Sequence, residues 1–311
     1  MPNKTSQSPS DYIIPLNMNG LQGRMLRMPA PTKRNREILL VYGHHAVLER
    51  WWGLVQNINE YGAVTMPDLP GFGGMDSFLK IGKKPTLDNY ADYLASFIKL
   101  RYKNRHVTII GISFGFVVVT RMLQRYPELS KKVDFVVSIV GFIHKDDFIF
   151  KQSARRFYVF LARLFATRPI SYLIRHVFLN AFVIKNLYRR LSRGKKRFAE
   201  ADVAEFENFI DFDVYLWQTN DVRTHWLTTY QFLLLDNCKV HVDVPVWHVY
   251  APNDYYFNNS VVEQHMRITF SEYHPVEAKE IVNHTPSILA NKKEMSVLVP
   301  PGLRRVLSRK V

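Results

Sequence analysis

The sequence predicts an α/β fold, a mostly parallel central sheet flanked by helices, with a helical segment inserted after the sixth strand. Three observations predict it. Short, apolar, β-branched runs alternate with longer helical stretches. The alternation stops near residue 143 and resumes after residue 225. One strand–helix junction carries Gly111-Ile112-Ser113-Phe114-Gly115. The chain therefore divides into a first core segment (1–142), a helical insertion (143–225) and a second core segment (226–311).

The elements follow in order. Tyr12–Leu16 and Arg24–Met28 form a leading hairpin. Ile38–Tyr42, Ala63–Met66, Val107–Ile112 and Val133–Val140 are short and apolar, as strands buried on both faces should be. Leu87–Tyr102 and Phe116–Tyr126 are helices between them. After the insertion, Val244–Tyr250 is a strand, Ser260–Thr269 a helix and Pro275–Ile281 a strand, and a last helix follows Pro286. Strand–helix alternation of this kind builds a parallel sheet covered on both sides.

Composition narrows the function classes. Of 311 residues, 47% are hydrophobic, too many for a disordered chain. With one cysteine, Cys238, there is no disulfide framework, and the residue reads as a small buried filler. The net charge of +15 is concentrated. Between Lys145 and Arg197 there are fourteen Lys and Arg against two acids, Asp146 and Asp147. Seven acids and no Lys or Arg then follow between Glu200 and Asp221. The first ten residues are polar, so no secretory leader is expected and the location reads as cytoplasmic. No uninterrupted apolar run reaches the roughly 18 residues of a membrane span.

The chemistry centres on Ser113. In G-x-S-x-G between a strand and a helix, the turn is so tight that side chains two before and two after would collide, and glycine removes them. The hydroxyl projects above the sheet edge. The N–H of Phe114, at the helix start, points toward a developing oxyanion. A serine needs a base, and behind such an elbow an acid and then a histidine follow along the chain. Pro252-Asn253-Asp254 ends the strand Val244–Tyr250, and Val282-Asn283-His284 ends the next. Asp254 is the expected orienting acid and His284 the expected base, with Asp146 or Asp147 as alternative acids. Asp254 also suits a plain turn, and His284 a capping loop. The other ten histidines, His44, His45 and His241 among them, show no metal-ligand spacing, so no metal and no cofactor is expected. Trp51 and Trp52 read as core residues.

These motifs resemble the α/β-hydrolase superfamily of capped serine hydrolases, over about residues 10 to 305. Val41-Tyr42-Gly43-His44-His45 is similar to the family's His-Gly turn after the third strand, which implies the His44 N–H as a second oxyanion donor. Asp68-Leu69-Pro70-Gly71-Phe72-Gly73 is similar to its loop after the fourth strand. Tyr42 departs from the usual His, and Phe116 from a small residue after the elbow. The resemblance implies ester or thioester cleavage of a small acyl substrate through an acyl-enzyme. Carbon–carbon bond hydrolysis by the same triad is the alternative, and a non-catalytic ligand- or membrane-binding descendant is the reading from another class.

The insertion is then a lid. Phe157, Phe160, Leu161, Leu164 and Phe165 recur at helical spacing, as do Ile170, Leu173, Ile174, Val177, Phe178 and Phe182. In one reading these stripes pack onto the core and the charges are a solvated face. In another the lid docks on an anionic membrane, a peripheral location, and admits a lipid-like substrate. Nucleic acid fits less well, because no recognised module is present.

Overall fold

A computed structural model describes residues 7–32, 34–192, 203–281 and 291–309. The apolar runs become the strands. β1 (Ile13–Met18) and β2 (Leu21–Met28) form the leading hairpin, closed by Asn19 and Gly20. Both turn residues have positive φ, 54° and 79°, the combination a two-residue primed turn requires. β3 (Glu37–Val41) and β5 (Val107–Ile112) are buried at every position, so both faces of the sheet centre are covered. β4 (Ala63–Pro67), β6 (Val133–Ile139), β7 (Val242–Tyr250) and β8 (Phe270–Glu277) complete an eight-stranded sheet of order β1-β2-β4-β3-β5-β6-β7-β8. β3 to β8 run parallel, and β2 lies antiparallel to both β1 and β4. The carboxyl ends of six strands thus share one edge.

Helices α1 (Trp52–Ile58), α2 (Leu87–Arg101) and α3 (Phe114–Arg125) connect the first strands, and α2 packs on α3. Trp51 is buried, and Trp52 stacks on Tyr12. Cys238 is half-buried against the same core, and burial pushes its thiol up to about 11.

β8 begins five residues earlier than the sequence predicts. Pro275 lies inside it, opposite His248, instead of starting it. As the last strand of the sheet, β8 has one unpaired side, where a missing N–H breaks no ladder. The expected helix start after Pro286 lies outside the described residues. The described helices that follow are α10 (Lys292–Met295) and α11 (Pro301–Leu307).

After β6 the chain leaves the sheet. It forms α4 (Gln152–Phe165), α5 (Arg168–Leu173), a wide π turn at Ile174–Phe178, α6 (Ala181–Ser192), α7 (Val203–Thr219) and α8 (Val222–Phe232) before β7. The last of these helices runs seven residues past the expected boundary at 225. α9 (Asn259–Thr269) joins β7 to β8. Among the described residues no single helix is long and apolar enough to cross a membrane. The pair α4 and Arg168–Phe178 passes by composition and length only when taken together across an 82° bend.

Candidate active site

β5 ends at Ile112, and α3 begins at Phe114, leaving Ser113 alone to turn the chain. Its backbone lies at φ 47°, ψ −116°, a conformation L-residues rarely adopt and one that stores strain. Its neighbours explain how so sharp a turn fits. A Cβ on Gly111 would lie 2.6 Å from the Phe116 Cα, and one on Gly115 would lie 2.2 Å from the Val41 carbonyl oxygen. Glycine at both places is a steric requirement. The Ser113 side chain is partly exposed, at the carboxyl edge of the sheet. Phe114 is the first residue of α3, where backbone N–H groups have no partner within the helix.

The turn after β3 comes against this elbow. A Cβ on Gly43 would lie 3.4 Å from the Ser113 Cβ, so Gly43-His44 and Ser113 are in van der Waals reach. The His44 ring packs edge-on to Phe114, with centroids 5.6 Å apart, and to Phe72 and Phe232. Its Nε2 lies 2.8 Å from Thr228 Oγ1 and 3.2 Å from the His225 carbonyl, both on α8. A carbonyl only accepts, so Nε2 carries the proton. Desolvation among these rings pulls the His44 pKa down to about 4, and the ring is neutral at pH 7. His45 and His225 are held lower than usual for the same reason. His45 Nδ1 lies 3.3 Å from Asn220 Nδ2, and Asn220 Oδ1 accepts from the Gly73 N–H at 2.8 Å.

The departures at Tyr42 and Phe116 have structural accounts. The Tyr42 hydroxyl donates to Asp68 Oδ1 (2.9 Å) and accepts from the Leu69 N–H (2.8 Å), which ties the β3 turn to the loop after β4. Asp68 is buried and also meets Arg24 Nε at 3.2 Å. Phe116 fits because Gly141 stands opposite. A Cβ at Gly141 would lie 2.6 Å from the Phe116 ring, which stacks on Phe270.

The predicted acids also follow strands at the sheet's carboxyl edge. Asp254 follows β7, partly buried, and its Oδ1 accepts the N–H groups of Tyr256 (2.7 Å) and Phe257 (3.2 Å). After β6, Asp146 is exposed and ion-paired with Arg155. Asp147 is wholly buried, accepts the N–H groups of Ile143 (2.8 Å) and His144 (2.9 Å), and holds His265 Nδ1 of α9 at 2.5 Å. His284 lies outside the described residues. Rings from Phe114, Phe232, Phe142, Phe148 and Phe257 form a continuous aromatic wall, with successive centroids 4.7 to 6.2 Å apart. Among the described residues no cluster of His, Cys, Asp or Glu has the geometry of a metal site.

Comparison with known proteins gives a consistent answer. A family model described as the alpha/beta hydrolase fold matches residues 38–178. The solved structures that match include a carboxylesterase of Nitrososphaera gargenis, with 14% identity, a TM-score of 0.61 and coverage of 96% of this chain and 100% of that one. A hydrolase of Oleispira antarctica matches with 12% identity and a TM-score of 0.62, over 92% and 94% of the two chains. The chain has the α/β-hydrolase fold. The enol-lactonase of Burkholderia xenovorans shares it at 12% identity and a TM-score of 0.59, over 85% and 90%. No curated protein sequence matches the chain.

Within this α/β-hydrolase-fold chain, the contacts that a linear reading misses are those made by α8 and by Asn220 just before it. His225, Thr228 and Asn220 face the turn at His44-His45 from about 180 positions away. No spacing or periodicity marks them. The signal the sequence offers is the polar set Thr224, His225, Thr228 and Thr229, set among Val222, Trp226, Leu227 and Phe232 on the same helix.

Proposed function

We propose that the chain is a serine hydrolase that cleaves a carboxylic ester or thioester through an acyl-enzyme. The observation that carries this reading is the Ser113 backbone, φ 47° and ψ −116°, held between β5 and the start of α3 against the Gly43-His44 turn. Strain of this kind persists only where surrounding structure enforces it, and a hydroxyl presented at the sheet edge for reaction is its use. In the proposed mechanism Ser113 Oγ attacks the carbonyl carbon and His284 takes its proton. Asp254 fixes the imidazole tautomer. The N–H groups of Phe114 and His44 hold the oxyanion. Collapse expels the alcohol or thiol, protonated by His284, and water activated by the same histidine releases the acid.

The helices of 143–225 act as the lid in this reading, with α8 seated over the His44 turn. The aromatic wall beside Phe114 favours an apolar acyl group. The names of the carboxylesterase and enol-lactonase neighbours agree with hydrolysis at a carbonyl. Incubation with a fluorophosphonate probe tests the proposal. Stoichiometric labelling that Ser113→Ala abolishes is expected. A folded chain that takes up no label sinks it and favours a ligand-binding descendant.

A further inference from the structure

Part of the amphipathic stripes of the insertion faces away from the core. Of the eighteen exposed large apolar side chains among the described residues, ten lie between residues 149 and 182. On α4, Phe157, Phe160 and Leu164 fall at i, i+3 and i+7, one row of the helix, and the two phenylalanines are 57% and 61% exposed. Tyr172, Phe178 and Phe182 continue the exposed series through α5, the π turn and α6, with Phe182 at 77%. The inner faces are used. α4 packs along α8, where Phe165 meets Trp226 edge to face, and the Arg223 guanidinium donates to the Ala166 carbonyl.

The charges beside these rings are as unusual as the rings. From Phe148 to Ala199 the sequence has no Asp or Glu. Lys151, Arg156, Arg163 and Arg168 are exposed and have no ion-pair partner among the described residues. Elsewhere among the described residues some surface cations face acids, as in Arg125–Asp92 and Lys99–Glu128, and others, such as Arg27 and Lys83, do not, but there the neighbouring sequence mixes both signs of charge. A face that is only solvated would not carry rows of exposed phenylalanine, because such patches lose free energy in water.

We infer that α4 to α6 form a docking surface for an anionic phospholipid bilayer. The aromatic and aliphatic rows enter the headgroup–acyl boundary, and the unpaired cations meet lipid phosphates. Charge complementarity selects this occupant. Two copies of the chain placed face to face would bring unpaired cations against each other, whereas an anionic surface neutralises them. α4 and the segment Arg168–Phe178 meet at 82°, and neither alone is long enough to span a bilayer, a geometry that suits two helices laid flat along the interface. This surface does not depend on the chemistry proposed for Ser113.

Sedimentation of the full chain with vesicles tests it. The two compositions are pure phosphatidylcholine, and phosphatidylcholine with about one third phosphatidylglycerol. Binding at least about tenfold tighter to the anionic vesicles is expected, weakening as salt is raised to about 0.5 M. Phe157→Ser with Phe160→Ser should reduce it at least about tenfold. Arg156→Gln with Arg163→Gln should lose roughly fivefold per cation, on anionic vesicles alone. Each substituted side chain is exposed, so both variants should melt as the parent does, and if the aromatic pair disturbs folding the charge pair still decides. Equal or negligible binding to both vesicles overturns the inference. So does anionic binding that neither variant changes, or a dimer in solution that the aromatic variant dissolves without any vesicle binding.

Discussion

His44 on the turn after β3 meets Thr228 on α8 side chain to side chain, with Nε2 2.8 Å from Oγ1. The Thr228 hydroxyl itself donates to the Thr224 carbonyl at 2.8 Å, leaving a lone pair for the imidazole N–H. The insertion thereby holds the turn whose backbone N–H is proposed as an oxyanion donor. Thr228→Val keeps the shape and removes the acceptor. It should destabilise the fold by about 1 kcal/mol. Turnover of an activated ester should fall roughly tenfold with KM little changed, since a donor at the oxyanion acts in the transition state. Steady-state kinetics beside a urea melt measure both, and a KM effect alone would assign Thr228 to substrate binding.

Ser113 carries strain that glycine would relieve and alanine would not. Ser113→Gly should be more stable than Ser113→Ala by about 1 kcal/mol, even though glycine ordinarily costs folding entropy. Both should lose turnover by a factor of at least about 10³. Equal melting temperatures for the two variants would show that the positive φ costs nothing.

The two carboxylates at the sheet edge should separate in what their loss does. Asp254→Asn retains an amide oxygen for the Tyr256 and Phe257 N–H groups, so the turn survives. Turnover should nonetheless drop by about 10³ to 10⁴, because an amide cannot hold the required imidazole tautomer. Asp147→Asn should do the reverse: the amide oxygen still serves the Ile143 and His144 N–H groups, but the buried carboxylate charge facing His265 is lost, lowering stability by about 2 kcal/mol while sparing the chemistry. Activity lost in Asp147→Asn at unchanged stability would move the acid to the loop after β6.

Stability should peak near pH 6.5. Burial holds His44 at about 4 and His248 at about 3, with His45 and His225 also well below the ordinary value. In the unfolded chain these rings protonate as pH falls below about 6.5, and in the folded chain they stay neutral, so acid favours unfolding. Each such histidine costs about 1.4 kcal/mol per pH unit over that window. His265 has the opposite sign. The Asp147 carboxylate raises it, so its contribution is full below about 6.5 and is lost as pH rises through the raised value. Urea midpoints across pH should show a steep acid limb and a shallow alkaline one. His265→Gln should flatten the alkaline limb only.

Much of this molecule is legible in its sequence for local reasons. Val107–Ile112 reads as a buried strand because a strand covered on both faces needs apolar side chains at every position, and the structure places β5 on those same residues. The elbow is legible because its steric demands fall on residues within a few positions of Ser113, where Gly111 and Gly115 stand. The start of β8 is misread because Pro275 looks like a boundary, and only its place on a sheet edge makes it harmless inside a strand. The stripe on α4 shows an amphipathic helix, but periodicity has no way to say whether the apolar row turns inward. Tertiary packing put Phe165 against α8 and left Phe157 and Phe160 in solvent. The same holds for His44 with Thr228 and Asp147 with His265, pairs 184 and 118 positions apart. Backbone preference acts over a few residues and is written in the sequence as pattern. Which side chains meet across a site depends on where whole elements dock, and that is settled by the packing of the complete chain.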